Sequence, residues 1–249
     1  MRFLLGALAM LAAARGAPPP RTPVLLELFT SEGCSDCPPA DRLLAALDSA
    51  QPEPGADLIV LSEHVDYWNH DGWVDRFSSP QFSARQQDYC ERLHVDGPYT
   101  PQLVVDGHWQ MVGSNGPQAK AAIEAAEREP KIALAISGAT RDGSRVTAHI
   151  EVSPAGAGMH SRAAELYVAL ADARDASDVK RGENAGRSLE HVAVVRTLAR
   201  VATVKTAGGL AKDVSIAIPA GAGANGLRVV AFLAEPGGGR VLGAAVARL

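Results

Sequence analysis

Val24-Leu25-Leu26-Glu27-Leu28-Phe29-Thr30-Ser31-Glu32-Gly33-Cys34-Ser35-Asp36-Cys37-Pro38-Pro39-Ala40-Asp41 runs from an apolar strand, through a turn, to two cysteines and the opening of a helix. Val24 to Phe29 is the strand, Thr30 to Gly33 the turn, and Ala40 to Leu47 repeats with helical spacing. Two thiols three apart at a helix start can reach each other as a disulfide. The helix N-terminus also favours the more N-terminal sulfur as thiolate, the form that attacks other disulfides. Two plainer readings compete. A structural clip needs only proximity, and half a zinc site would need a second ligand pair, whereas Cys90 is the only further cysteine.

Outward from this stretch, strand and helix alternate. A helix over Pro39–Ala50 leads through Pro52, Pro54 and Gly55 to a strand over Leu58–His64, a βαβ unit with a right-handed crossover. An aromatic loop from Val65 to Ser79 precedes a helix over Pro80–Leu93. Strands Gln102–Val105 and Trp109–Val112 follow, joined by the turn signal Asp106-Gly107, and a helix over Pro117–Arg128 starts near Ser114 or Asn115. Beyond Pro130 the composition changes. Seven strands are expected, at Ile132–Gly138, Arg145–Val152, Ala164–Ala171, His191–Leu198, Val214–Ile218, Leu227–Ala234 and Val241–Ala247, spaced like a β-sandwich. Ser188 to Thr206 is ambiguous between a long strand, a hairpin and a short helix.

The 249 residues suffice for one large or two medium domains, and the net charge of −4 carries no basic stripe, so nucleic acid is not an expected partner. Arg2, the apolar run Phe3 to Ala14 and the small residues Ala12-Ala13-Ala14 or Ala17 read as a signal peptide over residues 1–17. No later segment offers a stable membrane insertion, so an exported protein, periplasmic or secreted, is expected. In an oxidising compartment, one close cysteine pair plus Cys90 fits a redox couple better than a stapled scaffold. Cys90 reads as a buried free thiol in a helix.

These stretches resemble the thioredoxin superfamily. More closely, the chain is similar to a family of secreted bacterial thioredoxin-like proteins catalogued as a domain of unknown function. The likeness rests on Leu28 to Asp41, His64-Val65-Asp66-Tyr67-Trp68, Ser83-Ala84-Arg85-Gln86, Tyr99 to Gly107 and Arg181 to Arg187. It implies an α/β thioredoxin-like domain (βαβ-α-ββα) over residues 21–129, followed by an all-β sandwich-like domain over 130–249. It also implies a cis peptide at Thr100-Pro101, facing the cysteines and leaving backbone free to pair with an extended substrate. The ordinary alternative is a trans proline opening a strand.

Roles follow from position. Cys34 is expected to be the nucleophile and the more exposed of the pair, with Cys37 resolving the mixed disulfide. Thr100, Pro101, Tyr99 and Trp68 are the expected substrate contacts, and His64 or Asp66 the proton shuttle for Cys37. Asp36 and Glu32 place negative charge near the thiolate and oppose the helix dipole. The couple should therefore be more reducing than a strong oxidase at about −120 mV. The expected activity is thiol–disulfide exchange without an organic cofactor, on a disulfide-containing protein or small molecule, with an unidentified electron donor or acceptor. One alternative is copper delivery through Cys34, Cys37 and His64, a soft ligand set. Another is a non-catalytic binding module. The loop Arg181 to Arg187, with mixed charge and two glycines, reads as a solvated turn, or else docks Arg181 or Arg187 on the first half.

Overall fold

The computed structural model describes residues 21–70, 72–156 and 163–249. The expected signal segment, residues 1–17, lies outside them. Strands β1 (Thr22–Thr30) and β2 (Ala56–His64) pair in parallel through the crossover helix α1 (Pro38–Ala50). β3 (Gln102–Val105) pairs antiparallel with β1, and β4 (Trp109–Val112) antiparallel with β3. Asp106 and Gly107 both take positive φ in the connecting turn, which is why an Asp-Gly pair stands there.

Three helices sandwich this region. α1 and α3 (Gly116–Ala126) cover one face, where Leu44, Leu47 and Ile123 meet Val24, Leu26, Leu28, Val60 and Leu103. α2 (Pro80–Arg92) covers the other, where Phe82 joins the cluster of Leu25, Ile59 and Leu61. The Ser79 side chain accepts from Gln81 N to start α2, and Asn115 accepts from Gln118 N to start α3.

The expected fold class, a thioredoxin-like domain followed by a sandwich-like one, is overturned. Among the described residues, strand predominates over helix. The main element is a single eight-stranded mixed sheet in the order β11-β10-β7-β8-β2-β1-β3-β4. β7 (Ala163–Asp178) and β8 (Ser188–Lys205) form a long antiparallel ribbon, continued by β10 (Leu227–Ala234) and β11 (Val241–Arg248). β8 joins the first half by pairing in parallel with β2 at Ser62↔Val194. The physical reason lies in β2, which is buried on both faces along almost its whole length. Such a strand cannot be left as a sheet edge, and β8 covers it. The ambiguous segment is thus one long strand.

The remaining strands, β5 (Leu134–Asp142), β6 (Arg145–Val152) and β9 (Leu210–Ala217), form a separate three-stranded sheet. Val146, Ala148 and Ile150 cluster there with Leu166, Val168, Val229 and Ala231 of β7 and β10. The two halves are also tied by polar contacts. Arg228 of β10 grips Asp48 of α1 with two hydrogen bonds of 2.7 Å, both side chains buried. Among the described residues, no helix is long and apolar enough to cross a membrane.

Candidate functional site

Cys34 and Cys37 are joined as a disulfide at the start of α1. Cys37 is the N-cap residue, and its carbonyl accepts from Ala40 N at 2.9 Å and Asp41 N at 3.1 Å. Pro38 and Pro39 occupy the first turn, where a missing N–H costs nothing. Both cysteines are buried, Cys34 at 1% and Cys37 at 0% exposed, so the expected difference in exposure between them is slight. Ser35 and Asp36 between them face solvent. Cys90 is free and buried in α2, as read from the sequence.

Two segments close over the pair. The first is the aromatic loop after β2. A Cβ on Gly33 would lie 3.1 Å from Trp68 Cβ, so glycine there lets Trp68 lie against the turn before Cys34. Trp68 Nε1 donates to Thr100 Oγ1 at 2.7 Å, and the Thr100–Pro101 peptide is cis. Pro101 approaches α1 through Gly113, at which a Cβ would sit 3.1 Å from both Ala40 and Pro101. Cys34, Cys37, Trp68, Thr100 and Pro101 are therefore brought to one end of the sheet. Tyr99 stands beside them, donating its hydroxyl to Gln110 at 2.6 Å while its carbonyl accepts from Gln86.

The second segment comes from the distant half. The connection between β7 and β8 folds back on itself, with Val179 N bonded to Arg187 O and Gly186 N to Val179 O. At its tip Asn184, 0% exposed, donates from Nδ2 to the carbonyls of Glu32 at 2.9 Å and Cys34 at 2.8 Å. Arg187 donates to Asn184 Oδ1 at 2.8 Å. Glu183 Oε2 accepts from Ser35 N at 2.9 Å, and the Ser35 side chain together with that amide holds its carboxyl below the ordinary range. This loop read from sequence as a solvated turn, with arginine docking as the alternative. It is instead Glu183 and Asn184 that dock.

Under the cysteine turn lies a buried polar cluster. Glu32 accepts from Trp73 Nε1 at 2.7 Å, and Thr30 donates to Asp41 at 2.9 Å. His64 Nδ1 lies 2.7 Å from Asp75 Oδ2, which also accepts from Glu32 N at 2.9 Å. The His64 and His191 rings meet edge to face at 4.7 Å. Glu32 Oε1, His64 Nε2 and both His191 nitrogens find no hydrogen-bond partner. Burial by itself lowers the His64 pKa, but Asp75, with Asp41 and Glu32, outweighs it and leaves the group above its usual value. Burial likewise works to raise the Asp75 pKa, and His64 with the amides of Glu32 and Phe77 overrides it, to about 2.

Asp66, the other expected shuttle, accepts from Ser83 Oγ of α2 at 2.5 Å. Sequence reasoning missed Asn184, Glu183, Asp75, Asp41 and His191. The only signal for Asp75 was its place in an aromatic loop beginning at a buried histidine. Among the described residues, no group of three or more His, Cys, Asp or Glu is arranged to hold a metal ion.

Residues 25–234 match a family model described as protein of unknown function (DUF1223). No curated protein matches the chain. Among solved structures, the chain is similar to protein AGR_C_4864 from Agrobacterium tumefaciens. That likeness has 27% identity and a TM-score of 0.68, and covers 91% of this chain and 94% of that one. It is also similar to HBP35 of Porphyromonas gingivalis at 15% identity and a TM-score of 0.65, over 92% of this chain and 76% of that one, a likeness of fold alone.

Proposed function

The chain belongs to this DUF1223 family, whose description names no chemistry, and we propose that it is an exported thiol–disulfide oxidoreductase acting through Cys34 and Cys37. Kinship with thioredoxin-type oxidoreductases is part of the reading, supported by the β2-β1-β3-β4 order and by the cysteine pair opening α1. The observation that carries it is the disulfide itself. Bridging residues three apart closes so short a loop that it constrains the unfolded chain less than longer bridges do. A clip of that kind stabilises weakly, whereas the same pair at a helix N-terminus is well placed for exchange.

In the proposed reaction the Cys34 thiolate attacks a substrate disulfide and releases one substrate thiolate. Cys37 then attacks Cys34 Sγ in the mixed disulfide and releases the second. Two electrons pass to the substrate and the Cys34–Cys37 disulfide re-forms. A dithiol donor of the compartment returns the pair to its reduced state. The substrate is a protein or small-molecule disulfide, approached along the Trp68–Thr100–Pro101 side.

The test is trapping of the intermediate. Reduced Cys37→Ala protein offered a disulfide-bonded substrate such as insulin should accumulate a covalent adduct on Cys34, resolved by added thiol. The Cys34→Ala protein should form none. Equal labelling of both variants, or of neither, contradicts the proposal.

A further inference from the structure

The pair is buried in its disulfide form, and the turn that carries it is held from the far half of the chain. Neither sulfur is exposed, yet an attacking or attacked sulfur needs an open line of approach. Asn184 and Glu183 hold the turn by three hydrogen bonds, on Glu32 O, Cys34 O and Ser35 N. The Glu183 carboxylate occupies the Ser35 amide, in the turn between Cys34 and the N-cap Cys37 of α1, a donor that would otherwise be open to a Cys34 thiolate. Glu32, Asp36 and Asp41 stand nearby on the same segment and are acidic too.

We propose that the loop 179–187 is a redox-linked clasp, seated on the Cys34–Cys37 disulfide through Glu183 and Asn184 and released when the pair is reduced. The proposal rests on the exchange activity argued above and supplies its regulation. Reduction by a dithiol breaks the sulfur–sulfur bond, takes up two electrons and leaves a thiolate on Cys34 and a thiol on Cys37. The new negative charge lies against the Glu183 carboxylate, which is expelled from the Ser35 amide, and the Asn184 anchor goes with it. The reduced enzyme thereby exposes its nucleophile, and the oxidised enzyme closes. By linkage, a clasp that binds only the disulfide form makes the couple more reducing.

Hydrogen exchange at the Ser35 amide and across residues 179–187 reads the clasp directly, in the disulfide form and after reduction with tris(2-carboxyethyl)phosphine at pH 8. At least tenfold faster exchange in the reduced protein is expected. Equal protection in both states overturns the proposal. The Glu183→Gln variant keeps an acceptor for Ser35 but removes the charge, so its equilibrium with dithiothreitol should move toward the dithiol by about three- to fivefold. An unchanged equilibrium also overturns the proposal.

Should the disulfide of the folded wild-type protein resist both reagents, the exchange activity itself fails, and Asn184→Ala decides the clasp alone. A bond that becomes reducible in the folded variant shows the clasp was the seal. A bond that stays inert shows it was not.

Discussion

Glu27 and Glu63 stand on adjacent strands, β1 and β2, and both are fully buried. A single guanidinium serves them. Arg85 of α2 donates to Glu27 at 2.6 and 2.8 Å and lies 3.6 Å from Glu63, while Tyr89 donates to Glu27 at 2.5 Å. Burial, then the Glu27 charge, push the Glu63 pKa well above its ordinary value, against the pull of Arg85. A carboxyl raised in the folded state contributes stability that is fully present below its unfolded pKa and is lost as pH rises through the folded one. Glu63→Gln should therefore flatten the alkaline decline of stability, read as urea midpoints from pH 5 to pH 9. Arg85→Ala removes the charged partner of the buried Glu27 and should cost about 3–5 kcal/mol in the same assay at pH 7.

The His64–Asp75 pair titrates the other way on its acid side. The depressed Asp75 contributes above an unfolded pKa of about 3.9, and the raised His64 contributes fully below about 6.5. Asp75→Asn should thus destabilise most near pH 5, with a smaller loss on the alkaline side as His64 gives up its proton. At this scale the sequence was partly legible. A glutamate in the apolar run Val24 to Phe29, and another before His64, sit in strands buried on both faces, so each demanded a partner. Which arginine would supply it depends on how α2 packs, and spacing does not encode that.

Secondary elements of the first half were readable because their signals are local: Asn115 near a cap, Pro80 and Pro117 in first turns, and Asp106-Gly107 at a hairpin. The second-half strands were legible by alternation, as β6 shows. The clasp loop was not, because its charges suit water equally well and only the docked carbonyls of Glu32 and Cys34 explain Asn184. The Asp106-Gly107 turn does more than reverse the chain. Gly107 has a φ of 62°, and a Cβ there would come 2.5 Å from the Gly239 carbonyl oxygen of the β10–β11 turn. Gly107→Ala should accordingly cost about 1–3 kcal/mol from the backbone conformation alone, with the clash added, measured by thermal unfolding. A loss below 1 kcal/mol contradicts this contact between hairpins.

At the scale of the molecule, the expected fold class, a thioredoxin-like fold followed by a sandwich-like one, failed on one pairing. The parallel register of β8 against β2 joins residues more than a hundred positions apart, and no local pattern announces it. A buried β2 did announce that something must cover its outer edge. Residues 21–129 produced alone should then lack a cooperative unfolding transition, because that edge and the apolar face of Leu25, Ile59 and Leu61 lose the cover of β8 and β10. Sharp cooperative unfolding of this fragment contradicts the single-sheet account.

The redox equilibrium of Cys34–Cys37 in the purified protein, read by thiol trapping and mass spectrometry across a dithiothreitol or glutathione series, tests the central claim most directly. The account predicts a reversible two-electron transition, more reducing than about −120 mV and abolished by Cys34→Ser. Thiols that trap only after unfolding, with no transition in the folded protein, would contradict it and leave a structural bridge.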